Sequence, residues 1–157
     1  MEWTFSRVYE SFLATIRSCT FADLLDEELD EEMKRFLLRA LADFRFPQVD
    51  LGYEAVLNDK EEVVDYKFTD GDFSQREVNV LLAYMRKYFF EWIIAREKNF
   101  ELRYYDSDTK TSSQGEMVKQ MTNTFKTAIS EAEQASYNYG RATRNHKVRI
   151  GSVNTDD

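Results

Sequence analysis

Four stretches of this chain place apolar residues at the three-and-four spacing of an α-helix. In residues 4–17, Phe5, Val8, Tyr9, Phe12, Leu13 and Ile16 form one wide aromatic face, and Thr4 stands where an N-cap belongs. In residues 27–44, Leu29, Met33, Phe36, Leu37, Ala40, Leu41 and Phe44 fall on one side. Acidic residues crowd the start of this second helix, where the positive end of its dipole favours them. Pro47 ends it, because a residue before proline is driven out of helical dihedrals. TFADLL at 20–25 adds a separate turn of helix ahead of it.

The third helix has the sharpest start. Ser74-Gln75-Arg76-Glu77 matches the capping box, in which serine and glutamate satisfy unbonded backbone donors at a helix start. From there Val78, Leu81, Met85, Tyr88, Trp92 and Ala95 step by three and four, and Leu82, Phe89 and Ile93 widen the apolar surface past half the circumference. Such a helix is buried on several sides, which makes it the central helix, running to about residue 103. The fourth pattern covers 113–139, with Val118, Met121, Phe125, Ala128, Ala132, Ala135 and Tyr139 in heptad-like repeat and Gly140 as the expected C-cap. Its small residues let another helix approach closely. The seam faces either the core of a single bundle or a second subunit, with Val118, Met121, Phe125, Ala128 and Ala132 as the candidate contact.

Two stretches break the helical rhythm. Residues 47–73 hold Pro47, Gly52, Gly71 and the alternating VVDYKFT at 63–69, which reads as a strand with Val64, Tyr66 and Phe68 on one face. The strand belongs to a small hairpin or completes a sheet on a partner. After Gly140, RATRNHKVRIGSVNTDD carries Arg141, Arg144, Lys147 and Arg149 with no acid before Asp156, and HKVRIGSV alternates enough for one isolated strand. A strand with no hairpin mate beside it suits addition to another chain's sheet. The expected architecture is mainly α: a four-helix core in a helical domain 1–140, a short β-prone insertion, and an extended C-terminal docking tail 141–157.

Composition narrows the function more than the fold. The 157 residues are 43% hydrophobic and 15% aromatic, with five glycines and one proline, as expected of one domain with long helices. A formal charge of -8 argues against general affinity for a phosphate backbone. The single cysteine, Cys19, forms no internal disulfide and reads as a small buried residue in a reducing compartment. The most apolar run, YFFEWIIA at 88–95, is interrupted by Glu91 and is far shorter than the roughly 20 residues a bilayer requires. MEWTFSRVYESF lacks the basic start and apolar stretch of a signal peptide, so a soluble intracellular chain with no membrane partner is expected.

Candidate chemistry is sparse. YYDSDTKTSSQGEM at 104–117 opens with Asp106 and Asp108 at the spacing of the first two ligands of a calcium loop. Lys110 and Thr111 then stand where an oxygen ligand and a glycine belong, and Met117 replaces the closing glutamate. The stretch reads instead as a helix-to-helix connection in which Ser112 or Ser113 caps the fourth helix. The acidic run Asp26, Glu27, Glu28, Asp30, Glu31 and Glu32 lies on the first turns of a helix with no histidine beside it, which is the pattern of a solvated face. The sole histidine, His146, sits in the basic tail, far in sequence from Cys19, and neither lies in a nucleophile motif. No two glycines fall within ten residues of each other, so no phosphate-cradling loop is present, and two His or Cys residues do not make a zinc site. These patterns point away from an enzyme and imply no cofactor and no metal.

One family resemblance stands beside this reading. TDGDFSQREVNVLLAYMRKYFFEWIIAREKN is similar to the central helix of the head-tail connector, or neck adaptor, proteins of tailed bacteriophages. YDSDTKTSSQGEM resembles their polar connection, and the heptad-like helix ending in YNYG resembles their closing helix. The likeness covers residues 69–139; the aromatic first helix and VVDYKFT lie outside it. It implies a structural virion protein, assembled in the host cytoplasm into rings of about twelve copies. Such rings sit beneath the portal protein and present a surface to the next neck or tail component. DNA passes through during genome packaging and ejection, and an acidic lining does not trap it. On that reading Arg144, Lys147, Val148, Arg149 and Ile150 dock on a neighbour, and the acidic run 26–32 lines the channel or meets a basic partner. The rival is a small intracellular regulatory module that binds a partner protein, or an acidic mimic of DNA.

Overall fold

The computed structural model describes residues 2–16, 26–104 and 112–151, with side chains given for all of these except 97–104, 112–115, 117–118 and 143–151. The elements run α1 (Phe5–Thr15), α2 (Asp26–Asp43), β1 (Tyr53–Leu57), β2 (Val63–Phe68), α3 (Gln75–Tyr104) and α4 (Ser112–Gly151). The fold is mainly α, with four helices and a two-stranded insertion, as the hydrophobic spacing predicts. Among the described residues no helix is long and apolar enough to cross a membrane. Residues 105–111 of the 104–117 connection, TFADLL at 20–25 and Cys19 lie outside the described residues.

α1 starts at Thr4, whose Oγ1 accepts the Arg7 N–H at 3.3 Å. Its buried face joins two regions of the core. At one end the Phe5 ring meets Tyr53, Tyr66 and Phe68 of the hairpin at 4.8–5.5 Å. Two turns later Phe12 packs edge-on against Phe36 of α2 and Phe89 of α3. α2 adds Met33, Phe36, Leu37 and Ala40 to the same core. It ends at Asp43, ahead of the proline, and Phe46, the residue before Pro47, takes a left-handed φ of 58°, outside helical dihedrals.

α3 is the central helix. Val78, Val80, Leu81, Leu82, Tyr84, Met85, Tyr88, Phe89 and Ile93 are all buried, because α1, α2 and α4 each cover a different side of it. Burying each large apolar side chain contributes about 1.5–3 kcal/mol against leaving it in water. α4 runs antiparallel to α3. Glu77 meets Tyr139, Tyr84 meets Ser136 and Arg86 meets Glu131, so positions that rise along α3 fall along α4.

One sequence expectation is corrected in α4. Gly140 does not end the helix. Among the described residues no glycine adopts a positive φ, and α4 continues through Gly140 to Gly151. A glycine caps a helix by entering the left-handed region, and here nothing draws it there. The backbone of 146–151, where HKVRIGSV suggested a strand, is therefore helical; the rest of the expected tail, residues 152–157, lies outside the described residues. Tyr139 sits beside the first turn of α3, so the twelve residues that follow it extend α4 beyond that point by roughly 18 Å.

Candidate functional site

Two surfaces stand out: the hairpin, and the end of α4. β1 and β2 pair antiparallel in the register Tyr53↔Phe68, Glu54↔Lys67, Ala55↔Tyr66 and Val56↔Asp65. The register then slips, with Leu57 opposite Val63, which leaves Val64 as the extra residue of a bulge on β2. The turn is held by Asn58. Its Oδ1 accepts Lys60 N–H at 2.8 Å and Glu62 N–H at 3.0 Å, and its Nδ2 donates to Glu62 Oε2 at 3.0 Å. Glu61 completes the turn with a left-handed φ of 62°.

The two outer edges of this hairpin differ. β2 is covered near its end: Phe68 N–H donates to Trp3 O at 3.0 Å, and Thr4 bridges to Lys67. Ser6 N–H also reaches Asp65 Oδ1 at 3.2 Å. β1 has no such cover among the described residues. Beyond the reach of α1 the hairpin presents Leu57, Val63 and Val64, each more than half exposed.

The α4 end is a matter of charge. Residues 141–151 carry Arg141, Arg144, Lys147 and Arg149 and no acid, whereas residues 1–140 carry 17 basic and 27 acidic side chains. Arg141 is exposed. Arg144, Lys147, Val148, Arg149 and Ile150 all lie on the helical backbone; their side chains, and that of His146, are outside those described.

The candidate subunit seam faces inward where it is described. Ala128 and Ala132 are buried in the single chain, and Met121 and Ala135 pack on the core. Their small side chains bring α4 close to α3, which uses the seam within one chain; for Ala128 and Ala132 the subunit-contact expectation is corrected on that ground. Phe125 is half-buried, and the side chain of Val118 is not described.

The acidic run splits. Asp26, Glu27, Glu28, Asp30 and Glu31 are exposed on the first turns of α2, as a solvated face requires. Glu32 is half-buried; its Oε1 meets Arg35 at 2.7 Å, while Oε2 is buried without a hydrogen-bond partner among the described residues. Among the described residues no three His, Cys, Asp or Glu side chains gather as a metal site would require. A shallow concavity of about 400 Å³ along α4 is lined by Thr127, Ser130, Glu131, Gln134, Ala135 and Asn138. Its one carboxylate, Glu131, is tied to Arg86 at 3.1 Å, so the lining holds no acid–base pair.

Sequence reasoning missed one polar assembly. Glu77, 3% exposed, accepts Ser74 N–H at 2.8 Å, Ser74 Oγ–H at 2.6 Å and the Tyr139 hydroxyl at 2.7 Å. Tyr139 also accepts Gln48 N–H at 3.2 Å and packs edge-on against Phe44. Burial raises the pKa of Glu77, but the hydrogen bonds from Ser74 and Tyr139 outweigh it and hold the carboxyl below its ordinary value. Burial, then the bond to Glu77, pushes Tyr139 up to about 12. The capping-box spacing marked Glu77; nothing local marked its distant partner. This assembly fixes the start of α3, the loop after α2 and α4 to one another, so it positions the root of the basic helical end. No family model, no curated protein and no solved structure matches this chain.

Proposed function

We propose that this chain is a structural assembly subunit rather than an enzyme, and that its specific form is the one its third and fourth helices resemble: a phage neck connector forming a ring beneath the portal. The observation that supports the reading is the charge inversion along α4. A chain that is strongly acidic through residue 140 continues, on one unbroken helix, into eleven residues with four cations and no anion. A basic helical extension rooted on a fixed body suits docking on an acidic protein surface. It suits nucleic acid less, because the body behind it repels phosphate. In the connector reading the extension contacts the portal or the next neck component, the particle is the virion, and DNA passes without specific binding.

Cryo-electron microscopy or native mass spectrometry of the complex isolated with this chain tests the reading. About a dozen copies in a ring against a portal are expected, together with loss of the chain from the particle when Arg144, Lys147 and Arg149 are all replaced by Glu. A one-to-one complex with a soluble regulator or enzyme overturns it. That outcome favours the second reading, a regulatory module or acidic DNA mimic, for which the exposed acids on the first turns of α2 are the supporting observation.

A further inference from the structure

We propose that β1 is the interface of a symmetric dimer, in which two copies of this chain pair β1 against β1 to form one four-stranded antiparallel sheet. The argument begins with the direction of backbone groups. Phe68 N–H reaches Trp3 O and therefore points away from β1, so Tyr53↔Phe68 is a non-hydrogen-bonded pair of the hairpin. By alternation, Tyr53, Ala55 and Leu57 direct their N–H and C=O groups outward from β1. Among the described residues nothing accepts or donates to them there. α1 packs on β2 and touches β1 through the Phe5–Tyr53 ring pair, and among the described residues no strand pairs with the outer edge of β1. Soluble proteins usually blunt such an edge with lysine, proline or a bulge. β1 reads Tyr-Glu-Ala-Val-Leu, has neither lysine nor proline, and the extra residue of the bulge is on β2.

Self-complementarity selects a second copy as the occupant. A two-fold axis at Ala55 sets Ala55 opposite Ala55 and Tyr53 opposite Leu57 of the other copy, and all of these are residues whose backbone groups face outward. Tyr53 is 41% exposed and Leu57 54% exposed, and they share a face, so each covers apolar surface on the other. On the opposite face Glu54 meets Val56 of the other copy, never another Glu54. Glu54 is also paired with Lys67 at 3.1 Å. Across the sheet each row reads Lys67, Glu54, then Val56 and Asp65 of the second copy, so no like charges stand directly opposite across the new interface; the two Glu54 side chains lie diagonally. Two chains of charge -8 thus meet along a strip in which each Glu54 is held by the Lys67 of its own copy. This dimer goes beyond the connector reading and does not depend on it: neighbouring subunits of a ring about a single axis are not related by a two-fold, so the pair is a state of the chain outside such a ring.

Sedimentation equilibrium of the full chain, from roughly 1 to 200 µM, tests the proposal. The expected mass rises from 18.6 kDa to twice that value. Ala55→Pro removes an outward N–H while leaving the β1–β2 ladder its own donors, and Ala55→Lys places two cations face to face at the axis. Both variants are expected to keep the wild-type circular dichroism and to raise the dimer Kd at least tenfold. A wild-type chain that stays at 18.6 kDa throughout overturns the proposal and leaves the edge to a strand of a different protein. A folded Ala55→Lys chain that dimerises with unchanged Kd overturns it too. Neither result bears on the copy number in a native particle, so the two readings fail separately.

Discussion

The Tyr139 hydroxyl donates to Glu77 Oε1 at 2.7 Å, joining residues 62 positions apart, and it accepts the Gln48 N–H at 3.2 Å. Tyr139→Phe removes both bonds and leaves the shape intact. It strips a buried carboxylate of one donor and Gln48 of its acceptor, which costs about 1–3 kcal/mol. Urea unfolding is expected to show a lower midpoint with an unchanged m-value.

The same pair sets an acid dependence. The folded pKa of Glu77 lies below its ordinary value of 4.5, so its contribution to stability is present above pH 4.5 and is lost as pH falls through the folded value. Tyr139→Phe removes one of the bonds that hold the pKa down. The fall in stability as pH drops below 4.5 is expected to be shallower in that variant, and shallower again in Glu77→Gln. Chemical denaturation repeated across that range measures it.

Alkaline pH acts on the other partner with the opposite sign. Tyr139 titrates near 12 in the fold against 10.0 ordinarily, so its contribution is complete below pH 10 and is lost as pH rises toward 12. The wild-type chain is expected to lose more stability than Tyr139→Phe over that interval. Equal slopes would refute the assignment.

The reach of the sequence follows from the distance over which each signal acts. Thr4 and Ser74 were legible as caps because cap and partner lie within three residues. The central role of α3 was legible because an apolar surface wider than half a helix has to be covered from several sides. Tyr139 looked like one more heptad residue, since its polar partners Glu77 and Gln48 come from other elements. β1 was passed over because YEAVL has its exposed edge outward and its alternation is weak, so only the register with β2 reveals it. Gly140 misled for a local reason: glycine permits a left-handed cap without requiring one. The run of basic residues after it was legible, but their helical backbone was not.

Left-handed backbone at a non-glycine residue gives a prediction of opposite sign. Glu61 has φ 62° at the hairpin turn, where its N–H donates to Asn58 O at 3.0 Å. An L side chain in that region costs roughly 1–2 kcal/mol, part of which glycine recovers after its larger entropy loss. Glu61→Gly is expected to stabilise the chain by about 1 kcal/mol and raise Tm by roughly 2–4 °C. Calorimetry decides it, and a lower Tm would show that the Glu61 side chain contributes more than its backbone costs.

Ala132 tests where the α4 seam points. It is fully buried, one turn from the buried contact between Tyr84 and Ser136 at 3.2 Å. Ala132→Leu inserts three further carbons between α3 and α4, which forces the helices apart or the side chain off its rotamer, at a cost of about 1–3 kcal/mol. Ser136→Ala is the control, since it removes the hydroxyl contact without adding volume. An internal seam makes the leucine variant the less stable of the two while leaving the sedimentation mass of the folded chain at its wild-type value. A seam between subunits would do the reverse, changing the mass and sparing the stability of the monomer. Denaturation and sedimentation on the same two variants therefore separate a helix that closes its own core from one that waits for another chain.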